Sequence, residues 1–120
     1  MTYNKYGAKK TVVDNITFAS KKEADRYCQL KLLEKAGEIR NLELQPRYDL
    51  AVKGVKLGFY KADFRYEETW PLTVILKHNH TRKLEAWKLV IEDCKGFKTP
   101  IYRLKKKLLL ALHGIDIYET

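Results

Sequence analysis

Two extended, apolar stretches of this 120-residue chain carry acids at positions that a sheet would bury. They are Tyr60-Lys61-Ala62-Asp63-Phe64 and Val90-Ile91-Glu92-Asp93-Cys94-Lys95-Gly96. Side chains at i and i+2 share one face of a strand, so Asp93 and Lys95 are expected to project together. If the two strands pair, Asp63 comes beside Asp93. Two converging carboxylates suit a divalent cation, and an ammonium two residues further on suits a water or the charge of a phosphate. The backbone carbonyl of Cys94 offers one more oxygen. Glu92 points to the opposite face of a regular strand and is left out of this set. Any one of these acids is most simply an ion-pair partner for Lys61, Arg65 or Lys95. The pair together with Asp-x-Lys, on apolar strands, points instead to metal-dependent phosphodiester chemistry.

Charge supports a polyanionic partner. The chain has 24 Lys+Arg against 15 Asp+Glu, a net charge of +9. Nucleic acid is the first candidate for such a surface and an anionic membrane the second. No apolar run reaches the roughly 18–20 residues of a membrane span, and the polar N-terminus has no signal-peptide core. Cys28 and Cys94 lack metal-ligand spacing and read as reduced core thiols, which places the protein in the cytoplasm. A hydrophobic content of 45% is enough for the core of one domain spanning residues 1–120.

The elements can be read in order. Residues 1–10 form a basic, aromatic arm. Thr11–Val13 and Ile16–Phe18 flank Asp14-Asn15 as a small hairpin. A helix opens on Ser20-Lys21-Lys22-Glu23, a capping box, with Ala24, Tyr27, Cys28 and Leu32 as its apolar stripe and Gly37 past its end. Three extended segments follow, at about 39–52, 57–66 and 87–95. Pro46 marks a bulge or edge in the first. Between the last two, residues 67–86 read as an inserted or lengthened hairpin, with His78-Asn79-His80 at its tip. A second helix starts at the Thr99 cap with Pro100 and stops at Gly114; its stripe is Ile101, Leu104, Leu108 and Leu112. Ile115–Tyr118 closes the chain as a short strand.

Several residues could support the acid pair. Lys98, Arg103, Lys106 and Lys107 fall in an interval without acids, and the second helix begins just after the acid-bearing strand. Its N-terminus and cations form a candidate phosphate-binding surface. Gln45 is the one amide on the polar face of its strand and could touch a phosphate or a water. Glu23 is explained by the capping box alone, although it lies on the same side of the helix as Tyr27 and Leu30 and could reach the sheet. The letters His78-Asn79-His80 match the HNH nuclease name by accident, and a polar turn explains them. No P-loop, dinucleotide fingerprint or nucleophile-His-acid arrangement is present.

Phe18-Ala19-Ser20-Lys21-Lys22-Glu23-Ala24, then Ala62-Asp63-Phe64, then Glu92-Asp93-Cys94-Lys95-Gly96 resembles the PD-(D/E)xK nuclease superfamily. Within it, the chain is most similar to a small phage and prophage family of nuclease-like proteins. It is also similar to endonuclease-I-type Holliday-junction resolvases and to transposon end-cleaving nucleases. The resemblance spans about residues 16–118. It implies an α/β (α+β) fold with a restriction-endonuclease-like αβββαβ core, a mixed central sheet flanked by two helices. It implies Glu23 as the helix-borne acid, Asp63 and Asp93 as ligands of Mg²⁺ or Mn²⁺, and Lys95 as the catalytic lysine. Ala62 stands where the superfamily has proline. The implied activity is that of a Mg²⁺-dependent endodeoxyribonuclease acting on branched or duplex DNA, as in phage recombination within a bacterial host. Symmetric cutting of both strands would favour a homodimer. The alternatives are a non-catalytic nucleic-acid-binding protein on the same fold and a ribonuclease.

Overall fold

A two-residue turn opens the architecture. The computed structural model describes residues 10–75, 78, 81–94 and 98–120. Its first hairpin pairs β1 (Thr11–Val13) with β2 (Ile16–Phe18). Asp14 and Asn15 at the tip have φ of 51° and 62°, the left-handed pair that a type I′ turn requires. Helix α1 (Lys21–Lys35) follows, and its cap is the expected one: the Ser20 hydroxyl accepts from the Glu23 N–H at 3.2 Å. At the other end Gly37, with φ of 80°, donates to the Glu34 carbonyl, and Glu38 donates to that of Leu33. This is the Schellman arrangement, and it explains why a glycine stands there.

The face that α1 buries differs from the expected stripe. Glu23, Ala24, Tyr27 and Leu30 are buried, whereas Leu32 is 68% exposed and Cys28 is exposed. The hairpin sets this rotation. The Tyr27 ring packs on Phe18 at 5.0 Å, and its hydroxyl donates to Asp14 at 3.0 Å. The reading of Cys28 as a core thiol is therefore corrected; Cys94 is half-buried.

The first two long extended segments are each broken in the middle. The first divides into β3 (Ile39–Leu44) and β4 (Arg47–Val52), and the second into β5 (Val55–Lys61) and β6 (Phe64–Ile75). β4 and β5 form a separate two-stranded ribbon with Lys53-Gly54 at its turn. β3 and β6 join β7 (Thr81–Asp93) and β8 (Ile117–Glu119) in a sheet ordered β3-β6-β7-β8. Its β7–β8 contact is parallel and the others are antiparallel, so the sheet is mixed. Pro46 lies at the break, where it has no N–H to offer a ladder. Across the corner, Ala62 N–H donates to the Pro46 carbonyl at 3.1 Å, and Gln45 N–H donates to the Asp63 carbonyl at 2.9 Å.

The corner lets one alternating pattern serve two cores. Tyr60 and Ala62 pack with Leu50, Ile91, Tyr102, Leu109 and Ile117. Two residues on, Phe64 and Tyr66 pack with Phe18, Ala24, Tyr27, Leu30 and Ile39. On β7, Ile91 belongs to the first cluster and Val90 borders the second, so the clusters lie on opposite sides of the main sheet.

Pairing of β6 with β7 continues without a slip from Phe64↔Glu92 to Ile75↔Thr81. Asn79 and His80, like the 1–9 part of the basic arm, lie outside the described residues. Helix α2 (Pro100–His113) begins at the Thr99 cap and ends at Gly114, with φ of 66°. Tyr102 and Leu109 are its buried residues; Ile101 and Leu104, expected inside, are 67% and 58% exposed. The fold is thus mixed α and β, with two helices and a mixed sheet. No described helix is long and apolar enough to cross a membrane.

Candidate metal centre

The acids meet at the corner. Asp63 lies in the bend between β5 and β6 rather than within a regular strand, which corrects the expected placement. Its backbone is held from two sides, with the N–H donating to the Glu92 carbonyl at 3.2 Å and the carbonyl accepting from Gln45. Its side chain accepts from the Cys94 N–H at 2.7 Å and lies within hydrogen-bonding reach of Asp93. Asp93 ends β7, is fully buried, and accepts a hydrogen bond from the Tyr60 hydroxyl.

A half-buried carboxyl and a fully buried one so close together cannot both ionise freely. Burial first, then the hydrogen bond and charge of Asp93, push the Asp63 carboxyl up to about 8, against a donated hydrogen bond from Cys94 that pulls the other way. Glu23, in the first turn of α1 and only 7% exposed, adds a smaller push in the same direction. Its negative charge also helps raise the Cys94 thiol, which burial raises most. Glu23 is thus a cap residue that the fold also brings towards the acid pair. The Tyr60 hydroxyl is pushed far up by burial and by Asp93, and stays a donor. Tyr102, at the start of α2, is raised by burial first and also feels Asp93.

Among the described residues, no three His, Cys, Asp or Glu side chains close into a metal cage. The pair nevertheless fits a divalent cation of the Mg²⁺ kind, which takes one or two carboxylates and fills its remaining positions with water and phosphate oxygens. A dication would offset the burial and the Asp93 charge that together hold Asp63 protonated. Of the other expected contributors, Cys94 shows its amide to Asp63, and Gln45 is exposed beside the corner, with φ of 52°. Lys95 lies outside the described residues.

The expected phosphate surface on α2 is partly committed. Lys98 and Lys106 both pair with Glu119 of β8, whose carboxyl they draw down to about 2. That acid comes from outside the acid-free interval, so it was invisible to a reading confined to that interval. Arg103 and Lys107 are exposed and, among the described residues, belong to no such pair.

A second buried acid was set aside in the sequence and proves structural. Glu92 is fully buried on the other face of β7, where it accepts from Arg26 through both oxygens and from the Tyr66 hydroxyl at 2.6 Å. Arg26 is one turn beyond Glu23, so this clasp fixes α1 against β7 and with it the position of Glu23. The i, i+3 spacing of Glu23 and Arg26 was its only sequence signal.

These features define a mixed α and β domain with a carboxyl pair, one member fully buried and one half-buried, at a sheet corner beside cationic surface. A family model described as "Protein of unknown function (DUF1064)" matches residues 3–116, and the chain belongs to that family. No curated protein and no solved structure matches it.

Proposed function

We propose that this chain is a metal-dependent DNA endonuclease of the PD-(D/E)xK type, phage-derived and selective for DNA structure in the manner of Holliday-junction resolvases. The observation that carries this reading is the approach of the half-buried Asp63 carboxyl to the fully buried Asp93 at the corner. The order α1, β3, β6, β7, α2, β8, with a final parallel strand, supports a restriction-endonuclease-like αβββαβ core.

In this reading Asp63 and Asp93 hold Mg²⁺ or Mn²⁺, which supplies Lewis-acid charge at the scissile phosphate. The Cys94 amide aims the Asp63 carboxyl and the Tyr60 hydroxyl aims that of Asp93. Glu23 orients the attacking water, and Lys95 steadies the charge that develops on the phosphate, the role its Asp-x-Lys position implies. The exposed Arg103 and Lys107, with Gln45 at the corner, contact DNA backbone.

The test is an assay of purified protein with Mg²⁺ on branched, nicked, single-stranded and linear duplex DNA. Asp93→Ala is expected to abolish cutting, and Lys95→Ala to slow it by about 10²–10³-fold, with both variants folded by circular dichroism. No cleavage of any of these DNAs overturns the proposal. The rival is a non-catalytic DNA-binding protein. It requires DNA binding indifferent to Mg²⁺ and no strand cleavage. A ribonuclease would cut RNA in preference to these DNAs.

A further inference from the structure

The β4–β5 ribbon has one face packed and one face open. Leu50 and Tyr60 face inward to Tyr102 and Leu109 of α2. The register places Arg47 opposite Lys61, Asp49 opposite Phe59, and Ala51 opposite Lys56 on the other face, where all six are exposed. Leu57 is the extra residue of a bulge between these last two rungs, which increases the twist of the ribbon.

The open face is cationic around one aromatic ring. Arg47 lies over the Phe59 ring at 3.9 Å, and Lys105 of α2 approaches the same ring at 5.6 Å. Lys53 adds a charge at the turn. Asp49 is the one acid on this face, at 3.7 Å from Arg47 and 3.8 Å from Lys56. Among the described residues, neither Lys53 nor Lys61 has a carboxylate partner. The ribbon also runs directly out of the acid corner: Lys61 is two residues before Asp63, and Tyr60 bonds Asp93. Its six-residue strand β4 spans about 20 Å, a little over half a turn of duplex.

We propose that this open ribbon face is a DNA-backbone clamp, which follows the phosphates outward from the acid corner through Lys61 and Arg47 to Lys56 and Lys53. A two-stranded ribbon has the width to lie along a duplex groove, and its excess of cations over one acid supplies the complementary charge. Because Lys98 and Lys106 are tied to Glu119, the ribbon carries a larger part of the electrostatic footprint than α2. The proposal rests on the DNA reading above but is tested independently of cleavage.

Binding of a 30-bp DNA duplex is measured by fluorescence anisotropy in EDTA across a salt series. Two variants are used: Arg47→Gln/Lys61→Gln at the base, and Lys53→Gln/Lys56→Gln at the tip, where no core side chain is touched. Both are expected to lower affinity on the order of tenfold and to flatten the slope of log K against log salt by about 0.9 per cation removed. Lys31→Gln/Lys35→Gln on α1 is expected to bind as the wild type does. Thermal melts check that each variant is folded. If the tip variant keeps wild-type affinity and slope, the clamp is overturned, and cleavage by the wild type would leave the nuclease reading intact. If the wild type cuts nothing while the ribbon variants lose DNA binding, the nuclease reading falls and the clamp stands. A wild type that does not bind the duplex overturns the clamp outright.

Discussion

Asp63 shows how one side chain can be unfavourable for folding and, under the proposed function, necessary for chemistry. Its carboxyl stands at about 8 in the folded chain against an ordinary 3.8. Between those values the folded state holds a proton that the unfolded chain has released, so metal-free stability should fall as pH rises from about 4 to about 8. Urea melts at intervals across that range check this, and Asp63→Asn should remove most of the slope. The same variant should be more stable than the wild type at pH 8, on the order of 1 kcal/mol, because an amide carries no charge into the corner. Under the proposed function, Mg²⁺ should raise the melting temperature of the wild type at pH 8 and leave that of Asp63→Asn unchanged. The pair was legible because Asp63 and Asp93 interrupt apolar strands. Tyr60 as the donor to Asp93 was not, since a tyrosine in an apolar alternation looks like core and nothing more.

Helix and strand ends separate what local chemistry fixes from what distant contacts fix. Ser20, Gly37, Thr99, Pro100 and Gly114 act through neighbours within a few residues, and each boundary fell where the sequence placed it. Pro46 signalled a bulge or edge in the first segment, but the strand break at Asp63 was hidden because the alternation Tyr60, Ala62, Phe64, Tyr66 passes through it unchanged while the partner core switches. The rotation of α1 was hidden for a related reason: it is set by Phe18 and Asp14 of the preceding hairpin. The Arg26–Glu92 clasp is another distant contact, and it has a measurable weight. Arg26→Gln leaves the fully buried Glu92 without its cation and should destabilise the protein by about 3–5 kcal/mol, read from urea melts. Arg26→Lys should restore only part of this, because an ammonium cannot match both carboxylate oxygens. At the other edge, Glu119 is held down to about 2 by Lys106 first and also Lys98. Its contribution is present above about 4.5 and is lost as pH falls towards 2, so Glu119→Gln should matter little in acid and weaken α2–β8 docking at pH 7, by about 1 kcal/mol.

At the scale of the whole molecule, the extents of 67 × 40 × 21 Å reflect long paired strands more than a thick core. The layout of two helices against a mixed sheet followed from element order, whereas the separate β4–β5 ribbon did not, because nothing local distinguishes a strand that leaves its sheet. That departure matters most at Asp63, whose main chain is tied to Gln45 on one side and to Glu92 on the other. Its position is set by peptide groups that any replacement except proline retains. Under the proposed function, a neutral substitution there would preserve the shape of the corner while disarming it, giving a decoy that holds an uncut nucleic acid long enough to be crystallised.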